Sequence, residues 1–388
     1  MAKKGSSSRV WLLVHSWLAL PIWAFLFFVC LTGTIATVSH EIMWLVDPGM
    51  RALAPSDDAK PLGYDALLDA IERQRPGVAV EDITPPTASG FATTFDATTP
   101  EGVSVHLHVD PYTGAIQGER SGFDFPQFIR ALHGWLLTPW SGGGFAIGWY
   151  LVAMLSLPLL GSLITGLVVY KKFWRGYLNP RLRTANGARI FWGDLHRLAG
   201  VWSIPFIAII SLSALWFLIE AALWDSGVSI STEGAPAVVA REHVPTGPRP
   251  DRLSVDRAIE AARRSLPGFE PRYIRTPGDA YATMTMQGRG AFPLLDEKAS
   301  VNPYTYELAG ARKISDLTGL ELVTESMRPL HVGDFGGLWL KLAYFAFGLT
   351  LTAMVFSGMM IWTKRTAQAT AKLVRAVRST SAFPEPAE

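Results

Sequence analysis

Four stretches of the chain contain no Asp, Glu, Lys or Arg: residues 10–38, 145–170, 198–219 and 342–363. Each reaches the roughly 20 helical residues that a bilayer core requires. A helix satisfies its own backbone hydrogen bonds in lipid, so the pattern predicts four transmembrane helices. The first stretch follows Lys3, Lys4 and Arg9. It is too long for a signal-peptide core and shows no small-residue cleavage site, so an uncleaved helix is expected. Two long polar connections, 39–144 and 220–341, share a second pattern. Leu67, Leu68 and Ile71 have helical spacing, as do Val255, Ala258, Ile259 and Ala262. Pro76-Gly77 and Pro267-Gly268 stop those helices. Alternating runs at 103–109 and 280–286 follow, then a Pro-Tyr turn. Each connection therefore predicts one small α+β module.

Composition agrees with that division. The 388 residues are 49% hydrophobic and 18% charged, with 14 Trp and 20 Phe. Soluble domains carry about 25% charged residues, so an ordinary cytosolic enzyme is excluded. A single cysteine excludes a disulfide framework, a thiolate zinc site and an iron–sulfur cluster. The N-terminus 1–9, the segment 171–197 and the tail 364–388 together hold 15 basic and 3 acidic residues. The long connections hold 20 basic and 30 acidic. By the positive-inside bias, both termini and the short loop are cytoplasmic and the long connections lie outside. The formal +2 is thus the difference of two larger opposing sums.

The second half of the chain echoes the first. Val14-His15-Ser16-Trp17 opens helix one and Leu195-His196-Arg197-Leu198 opens helix three. Arg130-Ala131-Leu132-His133 precedes helix two, and Arg328-Pro329-Leu330-His331 precedes helix four. Helices two and four end in Thr165-Gly166-Leu167 and Ser357-Gly358-Met359. The pattern predicts a duplicated helix–module–helix unit about an axis along the membrane normal. Prolines at Leu20-Pro21 and Ile204-Pro205 predict kinks in helices one and three.

Four of the eight histidines occupy matched repeat positions: His15 with His196, and His133 with His331. The first pair belongs at the cytoplasmic side, the second near the outer surface, where the glycine-rich turns 141–144 and 333–337 follow. Two symmetric pairs on opposite sides of a four-helix bundle suit two haem b groups, each iron taking two imidazoles and leaving no site for oxygen. Other readings of the same residues are interfacial hydrogen bonding and direct transition-metal ligation. His40 has no repeat partner. Helical rise puts it about 37 Å from His15, so it is a possible extra ligand at the outer site only. His106 and His108 share one strand face, which reads best as solvated, while Met284 and Met286 read as core. Cys30 reads as a small apolar residue in a helix, and Arg263 and Arg264 as a solvated helix face. No triad, phosphate loop or nucleotide fingerprint is present, so no catalytic residue beyond the haem ligands is expected.

The motifs resemble the PepSY-associated transmembrane family. The likeness rests on His15-x-Trp-Leu, Ser39-His40-Glu41-Ile42, Asp194-Leu195-His196-Arg197, the two Leu-His pairs at 132–133 and 330–331, and Asp110-Pro111-Tyr112-Thr113-Gly114. It covers residues 9 to 366. Within the family, the stretch through Glu41 and Trp44 is most similar to inner-membrane ferric-siderophore reductases. That resemblance implies a multi-pass inner-membrane oxidoreductase with haem b and periplasmic PepSY-like modules. It would reduce a ferric siderophore from Fe(III) to Fe(II) and so release iron. No flavodoxin or pyridine-nucleotide domain is present, so the donor would be a cytoplasmic flavoprotein or a membrane quinol. Contact with membrane lipid is implied and no nucleic-acid partner is expected. The second module departs from the pattern, with Asn302-Pro303-Tyr304-Thr305-Tyr306 in place of the Asp and Gly. The alternative function is a non-catalytic PepSY module that binds peptides or regulates a protease or transporter. A transporter is the third reading, opposed by the absence of charged residues from the four stretches.

Overall fold

The computed structural model describes residues 5–140, 142–228, 230, 237–247, 253–290 and 292–380. Lys3, Lys4, Ser141 and residues 381–388, all used in the sequence reading, lie outside them. The first apolar stretch is a bent pair. Helices α1 (Gly5–Ala19) and α2 (Trp23–Thr37) are separated by a 3-10 turn at Leu20–Ile22 and meet at 62°. Pro21 causes the break, because it has no amide to donate and its ring clashes with the preceding turn. A short α3 (Ser39–Val46) extends α2 outward.

The first polar connection folds as α4 (Tyr64–Gln74), strands β1 (Ala79–Thr84), β2 (Thr93–Thr98), β3 (Ser104–Val109) and β4 (Ile116–Arg120), and α5 (Phe125–Trp135). The second apolar stretch is α6 (Ile147–Ala153) and α7 (Ser156–Val169), and the basic loop holds a short α8 (Trp174–Leu178). The second half then repeats the order: α9 (Ala188–Trp202), α10 (Ile204–Asp225), α11 (Val255–Ser265), β5 (Glu270–Arg275), β6 (Met284–Arg289), β7 (Asp296–Val301), β8 (Leu308–Arg312), α12 (Gly319–Val332) and α13 (Gly337–Thr380). The α9–α10 break falls at Ser203, just ahead of Pro205, where the sequence predicts a kink.

Three helical stretches are each long and apolar enough to cross a membrane: Ile147–Val169, Ile204–Asp225 and Gly337–Thr363. The bent first pair makes a fourth if it counts as one span. Counted that way the expected four spans are present, and the bend in the first falls at Pro21, where the sequence predicts a kink. The ends shift too: α10 begins six residues later than the uncharged stretch at 198 and runs on to Asp225, because Pro205 sets its start. Leu26, Leu159, Phe206 and Leu351 lie in one buried cluster inside the bundle.

Each polar connection forms the expected small α+β module, one helix and four strands, and the two modules join edge to edge. All eight strands form one antiparallel sheet in the order β4-β3-β2-β1-β5-β6-β7-β8. The halves join where β1 pairs with β5, with Asp82 opposite Arg275 and Ile83 opposite Ile274. Arg275 Nε donates to Asp82 Oδ1 at 2.8 Å across that seam. One continuous core packs Phe95 and Leu107 of the first half with Phe269 and Ile274 of the second, under α4 and α11. Those helices also cap each other. Asp256 accepts from the Tyr64 and Asp65 amides, while Asp65 accepts from the Val255 amide and the Ser254 hydroxyl. Each carboxylate satisfies orphan N–H groups at the partner helix's positive end. Met284 and Met286 are core residues, as their alternation predicts.

Candidate functional site

The four repeat-matched histidines meet as two pairs, the pairs predicted from their positions. His15 on α1 and His196 on α9 have ring centroids 6.2 Å apart, with planes at 69°. His133 on α5 and His331 on α12 are also 6.2 Å apart, with planes at 34°. All four rings are half-buried. Along the chain, the inner histidines precede the hydroxyls that hold the outer ones by the same interval: His15 to Thr32, and His196 to Ser213. Seventeen helical residues span at most about 25 Å, and the bends at Pro21 and Ser203 shorten that.

Each ring is held through Nδ1. His15 Nδ1 lies 3.0 Å from Thr165 Oγ1, whose proton goes to the Gly161 carbonyl at 2.7 Å. His196 Nδ1 lies 3.0 Å from the Met354 carbonyl and 3.3 Å from Ser357 Oγ, which itself donates to that carbonyl. His133 Nδ1 lies 3.0 Å from the Val29 carbonyl, and Thr32 Oγ1, 3.5 Å away, donates to Phe28. His331 Nδ1 lies 2.8 Å from Ser213 Oγ, whose proton goes to the Ile209 carbonyl. Carbonyls accept only, so Nδ1 donates in His133 and His196, and their Nε2 keeps a lone pair that a metal would use. In His15 and His331 the partner is a hydroxyl that also bonds a carbonyl of its own helix, which favours the same tautomer.

These residues fit a haem iron between each pair. Two imidazole nitrogens about 2 Å from one metal put their ring centroids about 6.3 Å apart on opposite sides, using the usual metal–imidazole bond length. Both observed separations match. Glycines give the rings room. A Cβ on Gly33 would stand 2.6 Å from His133 Cε1, one on Gly358 3.2 Å from His196 Cε1, and one on Gly166 3.5 Å from His15 Cε1. Among the described residues no group of three or more His, Cys, Asp or Glu converges, so the histidines stand as pairs and not within larger ligand clusters.

The surroundings differ at the two levels. Asp194, two residues before His196, is buried and accepts from Arg183 at 2.8 and 3.0 Å and from Arg197. The Arg183 hydrogen bonds hold its carboxyl well below the usual range, and they pin the basic loop onto α9. At the outer level, α12 is fastened to the sheet. Arg289 Nη2 donates to the Asp334 carbonyl at 2.6 Å, and Arg312 Nη1 to Glu325 at 2.8 Å. Phe217 packs on His331 at 5.2 Å. The helix α5 ends in Leu136 and Leu137 at φ +54° and +58°, a left-handed pair without glycine, whereas α12 ends in Gly333 at +74°.

His40 stands apart from both pairs. It is exposed on α3, within electrostatic reach of Asp124, Arg130 and Lys341. The solvated-face reading holds in part for His106, which pairs with Asp96 at 2.6 Å, and is corrected for His108. His108 is buried on Thr94 beside Gly118, because the turn Pro48–Met50 covers that face. Arg263 and Arg264 lie on an exposed helix face. Sequence reasoning missed the hydroxyls of Thr32, Thr165, Ser213 and Ser357, although all four recur at repeat-matched positions.

Apolar helices of membrane-spanning length joined to an extramembrane sheet define a membrane protein. The chain belongs to the family described as the PepSY-associated TM region, which matches residues 12–365. The uncharacterized protein PA4219 of Pseudomonas aeruginosa is 25% identical over 260 residues. That similarity covers 60% of this chain and 64% of the relative, so the chain spans a little under two thirds of that protein's length.

Proposed function

We propose that this protein is a duplicated helix–sheet–helix unit that carries electrons across the bacterial inner membrane and reduces a ferric siderophore on the periplasmic side. The observation that carries the reading is the pair of histidine pairs: two levels, each with 6.2 Å between rings that are held through Nδ1. His15 and His196 would hold one haem b, His133 and His331 a second. Haem b with both axial positions filled supplies one-electron transfer without oxygen chemistry. Thr165, Ser357 and Ser213, with the Val29 and Met354 carbonyls, orient the imidazoles and raise their basicity.

By the positive-inside bias of the basic termini and loop, His15 and His196 would lie on the cytoplasmic side, where a flavoprotein or a membrane quinol would supply electrons. The sheet then lies in the periplasm, above the outer pair. Siderophores hold Fe(III) far more tightly than Fe(II), so one electron releases the iron and leaves the chelator intact.

The test is reoxidation of the chemically reduced, purified protein by ferric hydroxamate and ferric catecholate siderophores, with ferrozine to trap Fe(II). Reoxidation with one Fe(II)–ferrozine formed per electron supports the proposal. A reduced protein that stays reduced against every chelate contradicts it.

A further inference from the structure

One charged feature stays outside the ligand sets. Arg130 lies three residues before His133 on α5, and Arg328 lies three before His331 on α12. Residues three apart share a helix face, so each guanidinium stands one turn from its histidine, on the side away from the helix C-terminus. The two histidine rings reach across a 6.2 Å gap between these helices, and the arginines stand one turn outward on either side of it. Both side chains are exposed, and among the described residues neither is held in a salt bridge. Burial, then repulsion from Arg328, lowers the pKa of Arg130, with Asp124 opposing. The two guanidiniums thus lie within electrostatic reach of each other, and a bound anion would relieve their repulsion.

We infer that Arg130 and Arg328 form a two-armed site for carboxylates at the outer mouth of the His133/His331 pair. The inference rests on the haem reading for its location. Guanidinium forks bind carboxylates through two parallel N–H donors, a geometry that lysine cannot copy. Two sources present that chemistry here: the propionates of a haem held by His133 and His331, and the carboxylates of an anionic ferric chelate. His40 lies within electrostatic reach of Arg130, while Lys341 nearby is already paired with Glu41.

The experiment uses the full-length, haem-loaded protein and R130Q/R328Q, with R130K/R328K as the charge-preserving control. Haem release to apomyoglobin and binding of ferric citrate are both measured. If the carboxylates are propionates, R130Q/R328Q releases one of its two haems roughly tenfold faster, as loss of a charged hydrogen bond predicts. The other haem is unchanged and serves as the folding control. Wild-type protein loaded with the dimethyl ester of haem then shows the same fast release, and the lysine variant recovers only part of the loss. If the carboxylates belong to the chelate, haem release is unchanged and ferric citrate binding weakens roughly tenfold. Release and binding both equal to wild type would overturn the site. Wild-type protein that retains no haem would instead overturn the haem reading, and the citrate measurement would still decide the arginine site.

Discussion

The inner and outer histidine pairs share a ring separation and differ in how they are mounted. His15 and His196 sit on α1 and α9, each held by the helix it packs against, through Thr165 on α7 and Met354 and Ser357 on α13. His133 and His331 sit on α5 and α12, the helices that carry the chain from the sheet back into the bundle. That mounting is also uneven. Arg272, Arg289 and Arg312 tie α12 and its following turn to the sheet, and α12 ends in glycine. Helix α5 ends in two strained leucines, and His133 leans on Gly33 where His331 leans on Phe217. The inner pair is thus held within the bundle, helix against helix. The outer pair is joined to the element that faces the periplasmic side in our proposal.

Replacing a ligand should break the comparison most severely. His331→Ala is expected to lower bound haem from two per chain to about one and to leave the inner pair's spectrum intact. His196→Ala should do the converse. Pyridine haemochrome quantification reads both. Loss of both haems from either variant would show that the pairs are not independent.

The glycines give a graded version. Gly33→Ala puts a methyl 2.6 Å from His133 Cε1, closer than real Cβ contacts come, whereas Gly358→Ala and Gly166→Ala meet their histidines at 3.2 and 3.5 Å. Haem retention should fall in that order, with Gly33→Ala losing mainly the outer group and Gly166→Ala near wild type.

Asp194→Asn probes the inner mounting. The Asp194 carboxylate is enclosed but both of its arginines are half-exposed, so a modest fall in melting temperature is expected. The folded-state pKa of Asp194 is depressed by Arg183, so its contribution is complete above the ordinary carboxylate pKa near 4. It is lost as pH falls through the lower folded value, and the variant should lose that acid-limb dependence. An unchanged melting curve down to low pH would remove the loop clamp from the account.

Leu137→Gly should have the smallest effect and the opposite sign. Leu137 is exposed at φ +58°, so glycine relieves about 1 kcal/mol of left-handed strain and loses little packing. A slight rise in melting temperature is expected, with both haems kept. A fall would mean that Leu137 has a packing role at the end of α5.

Much of this was legible in the chain. Uncharged runs and matched histidines depend on local composition and on an internal repeat, both visible without contacts. The prolines at 21 and 205 likewise announce the helix breaks. The sheet was largely hidden. Strand β1 reads Ala-Val-Glu-Asp-Ile-Thr, and its acidic residues disfavour a strand until Arg275 pairs with Asp82 across 193 positions. The fusion of the two modules depends on the Asp65 and Asp256 caps, which also act between halves. At the site, Thr165-Gly166 and Ser357-Gly358 were visible as matched helix ends. Their role came only with the fold, because the hydroxyls meet the histidines only once the helices pack.

The central claim is that each histidine pair holds one haem b through two imidazoles. An optical spectrum of the purified, detergent-solubilised protein, oxidised and then reduced, with haem quantified per chain, tests it most directly. The account predicts two haems per chain and a sharp reduced α-band without oxygen or carbon monoxide binding. A colourless protein, or a haem that binds carbon monoxide readily, would contradict it.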